Sequence, residues 1–371
     1  MKIERIEAIP VRIPLKAGLT TRTAHGVHAT SDYAIIRVYT DEGVVGLGEA
    51  TVAPRWTGET SSTCLSLIKE LLAPALIGQN PLNITQLRQR MDRVVKLNPF
   101  TKAALEMAFW DIAGKVANQP ICRMLGGPVR DTMRIKLVIG AFEKQEVTAL
   151  AERFLAMGVT CIKVKTGIDP DEDIARVRRV REVAGPDIPI TIDSNCGWNI
   201  TTARQTLLRL AELNILLAEQ PIPPNDPAAM ASLRATSPMP IMADESVFSL
   251  TDAWTVCAAG AADILSVYPG KHGGISGTVE IANVAKAAGL ACAIGSNLEL
   301  GIGTAAMLHV AAALPTIDSE RYPADLVGPI YHEADLLTEP LQLGPPAAKC
   351  PMGPGLGVSL DEQQLKKWRI D

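Results

Sequence analysis

Apolar and polar residues alternate along the first 50 positions of the chain. Ile3–Ile13 and Tyr33–Tyr39 alternate with a period of two, as half-buried antiparallel strands do. A turn at residues 41–43 leads into Val44–Glu49, which repeats the alternation and predicts a hairpin. Beyond it, apolar residues recur at helical spacing, so strands followed by helices predict an α+β domain. The predicted helices are Thr63–Leu76, Ile84–Leu97 and Thr101–Val116.

The segment between the first two predicted strands, Leu15–Ser31, is polar and rich in Gly and Thr. A connection of this length inside a compact domain is usually functional or disordered. Two interpretations therefore remain open, a lid over a binding site and a solvated turn. The segment contains Arg22 and His25, which, like Arg55 further along the chain, could hold an anionic group of a substrate.

After Met133 the pattern changes to short apolar runs that alternate with amphipathic segments. Apolar strands enclosed by helices are typical of parallel sheets, and seven such repeats with short linkers predict a closed barrel. A doubly wound open sheet is the alternative. The eighth barrel strand has the weakest signal, near Thr316–Ile317. The other predicted strands are Ile135–Ile139, Val159–Val164, Pro189–Ile192, Ile215–Ala218, Pro240–Ala243, Ile264–Val267 and Ala291–Ile294.

These patterns divide the chain into three parts. We expect an α+β domain over residues 1–128, a barrel with the active site over 129–328, and a C-terminal segment, 329–371, that packs back on the first domain. A chain of 371 residues is long for one compact domain, which agrees with one large and one smaller unit.

Composition and charge argue against several classes of function. The net charge of −4 does not fit a nucleic-acid-binding protein, which needs a basic patch. No apolar run approaches the length of a membrane span, and the first residues lack the apolar core of a signal peptide, so we expect a cytoplasmic protein with no nucleic-acid or membrane partner. The seven cysteines are scattered without a CxxC pair, and we interpret them as buried thiols.

Three acidic residues follow predicted barrel strands. Asp193, Glu219 and Asp244 lie 26 and 25 residues apart, which is about one strand-plus-helix unit each. Because the carboxyl ends of barrel strands meet at one face, these side chains can converge there. Hard oxygen ligands of this kind suit Mg²⁺ or Mn²⁺, and a cation relieves the repulsion between buried carboxylates. The alternative is that each acid caps the following helix.

Two lysines end the second predicted barrel strand. Lys163 and Lys165 are two residues apart, so both project to the same side of the strand. Buried ammonium groups are costly without a partner, which indicates a functional role. Near a divalent cation and a second lysine, Lys165 should have a lowered pKa and could act as a base. The alternative is a solvated strand end.

This ordered series of motifs resembles the muconate-lactonizing-enzyme subgroup of the enolase superfamily, across essentially the whole chain. The resemblance implies a (β/α)7β modified TIM barrel with an α+β capping domain built from both chain termini, and a homo-oligomeric assembly. The motifs that carry it are Lys163-Val164-Lys165, Asp193-Ser194-Asn195, Glu219-Gln220-Pro221, Asp244-Glu245-Ser246, Gly301-Ile302-Gly303-Thr304 and Gly353-Pro354-Gly355-Leu356-Gly357.

The resemblance also implies a chemistry. The family reaction removes or delivers a proton α to a carboxylate, and a metal ion stabilises the enediolate. Matched by motif, Asp193, Glu219 and Asp244 would hold Mg²⁺, with Mn²⁺ as a substitute. Lys165 would be the acid/base, and Lys163 would support the carboxylate of a small substrate.

One position departs from the family pattern. Members usually place a second catalytic lysine at the end of the sixth barrel strand, and the alignment on Gly273-Gly274 puts Tyr268 there, while Lys271 matches a later basic position. A phenol with a pKa near 10 is a poor base at neutral pH, although it can donate a proton or a hydrogen bond. Tyr268 could also be a wall residue, and Lys271 a solvated loop cation.

Several further residues are candidates for substrate binding. Asn297 and Glu299 follow the seventh predicted strand and could orient a substrate. Asn195 belongs to the second acidic motif. In the first domain, Arg22, Arg55 and Trp56 could set substrate size and charge.

The sequence favours one-base chemistry because Tyr268 makes a second base doubtful. The leading hypothesis is a muconate-type cycloisomerase, which needs one proton donor. The alternatives are a dehydratase of an acid sugar, hydroxy acid or hydroxyproline, and an epimerase of amino-acid derivatives or dipeptides. Dipeptide epimerases usually carry an Asp-x-Asp pair after the eighth strand, which Asp318-Ser319-Glu320 matches only loosely. A metal-binding interaction protein without catalytic activity is the remaining hypothesis.

Overall fold

A computed structural model describes residues 1–370, and its strands form two main sheets. The strands are β1 (Ile3–Pro14), β2 (Thr21–Thr23), β3 (Gly26–His28), β4 (Thr30–Thr40), β5 (Val45–Thr51), β6 (Thr132–Arg134), β7 (Leu137–Ile139), β8 (Ile162–Lys165), β9 (Ile190–Asp193), β10 (Ile215–Glu219), β11 (Ile241–Ala243), β12 (Ile264–Val267), β13 (Ala291–Ile294) and β14 (Ala347–Lys349).

The helices lie mainly in the connections between these strands. They are α1 (Pro54–Thr57), α2 (Ser61–Leu67), α3 (Ala73–Leu76), α4 (Ile84–Val94), α5 (Pro99–Ala117), α6 (Ile121–Met124), α7 (Lys144–Ala156), α8 (Pro170–Ala184), α9 (Ile200–Leu210), α10 (Pro227–Arg234), α11 (Leu250–Ala258), α12 (Ile275–Ala287), α13 (Gly301–Ala313), α14 (Gly328–Tyr331) and α15 (Glu362–Trp368).

The first sheet is antiparallel and has the order β1-β4-β5. Helix α5 packs on β5 at two glycines, because a Cβ on Gly46 or Gly48 would collide with the backbone carbonyls of Ala108 or Ala104. Small residues here therefore serve close helix–sheet packing. The predicted helix 63–76 is interrupted by a π-helical turn, Ile68–Leu72, between α2 and α3.

The long segment between the first two main strands has a structure of its own. Strands β2 and β3 pair as a short antiparallel hairpin between β1 and β4. The backbone of Arg22 accepts a hydrogen bond from Ala141 N–H, just beyond β7. This contact brings the hairpin to the end of the barrel.

The second sheet confirms the barrel prediction. Its seven parallel strands run in sequential order from β7 to β13, whereas a doubly wound sheet would reverse its order at a switch point. Residues 316–325 fill the eighth position, since Ile317 pairs with Cys292 of β13 and Ala324 pairs with Ile135 beside β7. Asp325 N–H also donates to Ile294 O, which closes the barrel.

The C-terminal segment contacts the first sheet. Arg369 forms a bridge with Val11 of β1, and Ile370 N–H donates to Pro10 O. An ion pair joins Arg37 of β4 to Glu362 of α15 at 2.6 Å. Within residues 1–370, none of the helices combines the length and the apolar composition of a membrane span.

Candidate active site

Strand register brings the central polar residues into one row. Lys165 of β8 pairs with Asp193 of β9, and Asp193 pairs with Glu219 of β10. Glu219 in turn pairs with Met242 of β11, so that Asp244 follows two residues later on the same side. The carboxyl ends of four neighbouring strands therefore present the predicted acids and base together.

Lys163 is the hub of a buried ion network. It is 4% exposed, and its Nζ lies 2.8 Å from Glu219, 2.7 Å from Asp325 and 3.2 Å from Asp193. Burial lowers the pKa of Lys163, but the three carboxylates outweigh it and raise the pKa well above its usual value. Lys163 is therefore a permanent cation, suited to charge stabilisation and not to proton transfer.

Lys165 projects to the same side of the strand, nearer its open end. Its Nζ donates to Asp193 Oδ2 at 2.6 Å and to Asn195 Oδ1 at 2.8 Å. Asn195 also donates through Nδ2 to Glu245 Oε1 at 3.0 Å, so its amide orientation is fixed from both ends. Asn195 has a left-handed φ of 42°, which an asparagine tolerates better than most residues. Lys165 is thus a half-buried amine in a defined hydrogen-bonding frame.

The carboxyl group of Glu219 has an unusual electrostatic environment. Burial, followed by the charges of Asp193 and Asp244, raises the pKa of Glu219 to about 8, although Lys163 opposes this. Burial also favours the neutral form of Asp193, but Lys165 and Lys163 prevail and lower the pKa of Asp193. Three buried acidic groups are therefore concentrated near the ends of β9, β10 and β11.

Tyr268 lies at the end of β12, on the opposite side of the barrel from β8. Its side chain is fully buried, and its hydroxyl has no hydrogen-bond partner among residues 1–370. Burial and the nearby carboxylates, first Asp244, raise the pKa of Tyr268 well above 10. The phenol therefore stays protonated in the neutral range and cannot serve as a base. The ring lies 6.4 Å from that of Trp56.

Lys271 is buried and fully partnered, which is contrary to the interpretation as a solvated loop cation. Its Nζ donates to Asp244 Oδ1 at 2.5 Å, to Asp244 O at 2.8 Å and to Ser266 O at 3.0 Å. The ammonium group also lies 4.8 Å from the centre of the Tyr268 ring. All three of its N–H donors are occupied, so Lys271 holds Asp244 and does not face the substrate space.

A cavity of about 330 Å³ adjoins the ion network and reaches the first domain. Lys163, Lys165, Asn195, Asn297 and Asp325 line it from the barrel side. From the first domain it is lined by residues of the β2–β3 hairpin and by the segment around α1, among them Thr21, Thr23, His25, Arg55 and Trp56. Substrate would therefore contact both domains.

Three candidates from the sequence differ in their relation to the cavity. Arg22 is exposed, and it lies between Thr21 and Thr23, whose side chains take the cavity face of β2. Glu299 is buried, and it accepts hydrogen bonds from Ser296 Oγ and Asn297 N–H, away from the cavity lining. Asn297 lines the cavity, but its Nδ2 donates to Thr51 O.

Sequence reasoning missed two acids of the site. Asp325 ends the eighth barrel position and binds Lys163 and Lys136, the latter at 3.2 Å. The weak signal of that strand concealed it, and Asp318-Ser319-Glu320 lies at the wrong end of the segment. Glu245 contacts Asn195 and, at 3.3 Å, His25 of the hairpin. Its position directly after Asp244 was the available signal.

The residues at the strand ends fit a divalent cation. Asp193, Glu219 and Asp244 are buried carboxylates on successive strands, and Oε2 of Glu245 is buried without a partner in the described part of the chain. Burial is the main cause of the raised pKa of Glu219, and the charges of Asp193 and Asp244 add to it. Their oxygens do not all lie within 4.8 Å of one another; Lys163 lies between Asp193 and Glu219, and Lys271 holds Asp244. A hard cation with oxygen ligands suits this donor set.

Comparison with known families identifies the class of protein. The family of enolase C-terminal domain-like proteins matches residues 146–364, and the mandelate racemase / muconate lactonizing enzyme N-terminal domain matches residues 5–126. The chain belongs to this family, the muconate-lactonizing subgroup of the enolase superfamily, and is an enzyme of the isomerase/lyase type. Enzymes of this type are metal-dependent.

Individual relatives span several reactions. The chain is 33% identical to the N-succinyl-L-Arg/Lys racemase of Bacillus cereus, over 100% of this chain and 98% of that one. It is 34% identical to muconate cycloisomerase 1 of Rhodococcus opacus, over 97% and 95%. It is 33% identical to the L-Ala-D/L-Glu epimerase of Bacillus subtilis, over 96% and 97%.

Solved structures give the same result. The Bacillus cereus racemase superposes with a TM-score of 0.96 at 32% identity, over 100% of this chain and 99% of the other. The 2-chloromuconate cycloisomerase of Rhodococcus opacus also reaches 0.96 at 32% identity, with 100% of both chains covered. Overall similarity therefore fixes the fold and the type of enzyme, and the particular reaction must be argued from the site.

Proposed function

We propose that the protein is a Mg²⁺-dependent, one-base enzyme that transfers a proton at the carbon α to a carboxylate, and that its reaction is a muconate-type cycloisomerisation. The observation that carries the proposal is the asymmetry of the site. Lys165 lines the cavity from β8, while the opposite strand end offers the neutral phenol of Tyr268 and the fully partnered Lys271.

Epimerisation is disfavoured by the same asymmetry. A two-base epimerase needs a proton acceptor on each face of the α-carbon, and only Lys165 qualifies. Cycloisomerisation needs a single proton transfer, because the second carboxylate of the substrate forms the new C–O bond itself. One base is then sufficient for the whole reaction.

The roles of the residues follow from their surroundings. Lys165 transfers the proton, since it lines the cavity with two partners that orient its amine, whereas Lys163, which also lines the cavity, is held by three carboxylates. Lys163 keeps a positive charge beside the reacting carboxylate. Asp193, Glu219 and Asp244 would hold Mg²⁺, which supplies charge stabilisation when bound.

A dicarboxylate substrate fits the outer part of the cavity. Arg55 lines the cavity from the first domain, and its guanidinium lies close to Gly26 in the β2–β3 hairpin. It could pair with the distal carboxylate of a muconate through two parallel hydrogen bonds. Trp56 and Val27 provide apolar surface for the carbon chain between the two carboxylates.

Dehydration of a hydroxy acid is the second candidate, because of one observation. The hydroxyl of Tyr268 is a buried donor without a partner among residues 1–370. A phenol that stays protonated could donate its hydrogen to a departing hydroxide. The reaction would still use Lys165 as its only base.

The proposal is tested by incubation with cis,cis-muconate and Mg²⁺ in D₂O. We expect loss of the conjugated diene and a lactone that carries one deuterium at the carbon α to its carboxylate. Chelation of the metal should abolish the reaction. A parallel panel contains hydroxy acids, hydroxyprolines and N-acylated amino acids. Deuterium exchange into both enantiomers of an amino-acid derivative, without lactone formation, would contradict the one-base proposal.

A further inference from the structure

A second cluster of potential ligands lies outside the active site. Cys122 of α6, His309 of α13 and Cys350 after β14 are all buried, and their Sγ and nitrogen atoms lie within 4.8 Å of one another. No other set of three His, Cys, Asp or Glu side chains in residues 1–370 meets this distance. His309 is about 12 Å along α13 from Gly301, towards the end of the helix away from the active site.

We propose that this cysteine–histidine cluster, Cys122, His309 and Cys350, binds a thiophilic d¹⁰ cation, Zn²⁺ or Cu⁺. Thiolate and imidazole ligands select these ions, whereas Mg²⁺ prefers oxygen. The site would be separate in place and chemistry from the carboxylates at the strand ends.

The distances suit a tetrahedral ion. With metal–sulfur bonds near 2.3 Å and metal–nitrogen bonds near 2.0 Å, two ligands are about 3.5 to 3.8 Å apart. Cys350 Sγ lies 3.2 Å from His309 Nδ1, so a small rotation of either side chain would reach this range. Met352 Sδ lies 3.9 Å from Cys122 Sγ and offers a thioether as fourth ligand.

The hydrogen bonds of His309 place its imidazole in the tautomer that metal binding through Nδ1 requires. Its Nε2 lies 3.0 Å from Leu356 O and donates its hydrogen there, which leaves Nδ1 as the atom with the free electron pair. A hydrogen bond of this kind fixes the tautomer of metal-binding histidines. Nδ1 now accepts from Cys122 N–H at 3.2 Å and faces the thiol of Cys350, so an ion would take over the electron pair that these donors share, and the thiol proton would be released.

Access from the surface also favours an ion here. Met352 is 46% exposed, so the cluster lies beneath a single side chain at the surface.

The position of the cluster indicates a structural role. It connects α6, α13 and the C-terminal segment, which are far apart in sequence. Backbone hydrogen bonds already join Ile121 N–H to Gly355 O and Gly355 N–H to Gln119 O. A bound ion would cross-link the same elements and stabilise the folded protein in proportion to its occupancy.

The test uses Co²⁺ as a spectroscopic probe of reduced, chelator-washed full-length protein, with excess Mg²⁺ present to occupy the carboxylates. Thiolate-to-cobalt charge transfer absorbs in the near ultraviolet, and carboxylate ligands do not produce it. We expect saturation at one equivalent of Co²⁺ and its displacement by Zn²⁺. Separate titrations of Zn²⁺ and Cu⁺ against colorimetric chelators then distinguish the two ions.

Variants show which cysteines produce the cobalt charge-transfer band. Cys122→Ser and Cys350→Ser should each weaken cobalt binding at least tenfold, while Cys257→Ser, a thiol outside the cluster, should leave it unchanged. Since a cluster variant that fails to fold would bind no ion, alkylation of the wild-type protein gives a second measurement. Zn²⁺ should protect Cys122 and Cys350 from iodoacetamide, as read by peptide mass spectrometry, and should raise the midpoint of thermal unfolding.

Three results would overturn the proposal. The first is the absence of a charge-transfer band in the wild-type protein at excess Co²⁺. The second is a band that persists in both cluster variants. The third is a Cys122–Cys350 disulfide that forms in air with no metal bound to the reduced protein, because the pair would then be a redox couple. None of these results bears on the proposed cycloisomerase activity.

Discussion

The two sides of the barrel mouth use their cations differently. At the end of β8, Lys163 serves three carboxylates and Lys165 extends into the cavity. At the end of β12, Tyr268 is buried. Lys271 binds the carboxylate of Asp244 and the backbone carbonyls of Asp244 and Ser266. A lysine near a reaction centre is therefore not sufficient evidence of a base. What decides its role is whether its nitrogen retains access to the substrate.

The largest effect should come from Lys165→Met, which removes the proposed acid/base from the cavity. General acid–base groups typically contribute about 10²- to 10⁴-fold, and we expect a loss in that range in deuterium exchange α to the carboxylate. Lys144→Met, at an exposed position in α7, is the matched control and should keep full activity. Deuterium exchange at the wild-type rate in Lys165→Met would contradict the assignment of Lys165 as the acid/base.

Lys163→Met should mainly destabilise the metal-free protein. The substitution leaves Glu219 and Asp325 buried without their shared cation, and loss of one partner of a buried ion pair costs about 3–5 kcal/mol. Lys102→Met is a suitable control, because its partner Asp92 is exposed and such pairs contribute at most about 1 kcal/mol. Urea unfolding in chelator measures both. Equal losses of unfolding free energy in the two variants would show that the buried network contributes no more to stability than an exposed ion pair.

Lys271→Met should separate stability from catalysis. The buried carboxyl group of Asp244 loses its ion-pair partner, so we expect a loss of about 3 kcal/mol in chelator. Deuterium exchange should stay within about tenfold of the wild-type rate at saturating Mg²⁺, well short of the loss in Lys165→Met. A loss of exchange as large as that of Lys165→Met, in a variant that remains folded with Mg²⁺, would make Lys271 a second catalytic group.

The sequence predicted the barrel, and it predicted which residues end neighbouring strands on the β8 side, for a physical reason. Register along parallel strands is local, so Lys165, Asp193 and Glu219 had to fall in one row once their strands were identified. The β12 side depended on a loop. Whether Lys271 pointed to solvent or to Asp244 is decided by the turn through Gly273 and Gly274, which the periodicity does not specify.

Contacts between distant segments were also beyond the sequence pattern. Asp325 joins Lys163 from the eighth strand position, which has little strand character of its own. His309 lies on α13 among small apolar residues and meets Cys122 and Cys350 only through the packing of three separate elements. Spacing along one strand or helix predicts only contacts within or beside that element. The contacts of Asp325 and His309 depend instead on closure of the barrel and on the path of the C-terminal segment.

Tyr268→Phe should have the smallest effect and discriminates best between the two candidate reactions. The hydroxyl has no hydrogen-bond partner among residues 1–370, so its removal should cost almost no stability. Tyr331→Phe is the matched control, since that hydroxyl bonds both Val138 N–H and Val138 O, and its loss should cost about 1–3 kcal/mol.

The pH profile gives the same variant a second reading. Burial raises the pKa of Tyr268 well above 10, so the phenol is protonated throughout the neutral range and contributes no inflection there. A cycloisomerase should therefore keep its profile in Tyr268→Phe and lose less than about threefold in rate. A dehydratase that uses this hydroxyl as its acid should lose about 10²-fold or more, because no other donor takes the place of the phenol. The loss of rate in Tyr268→Phe therefore shows whether the β12 side of the site takes part in the reaction.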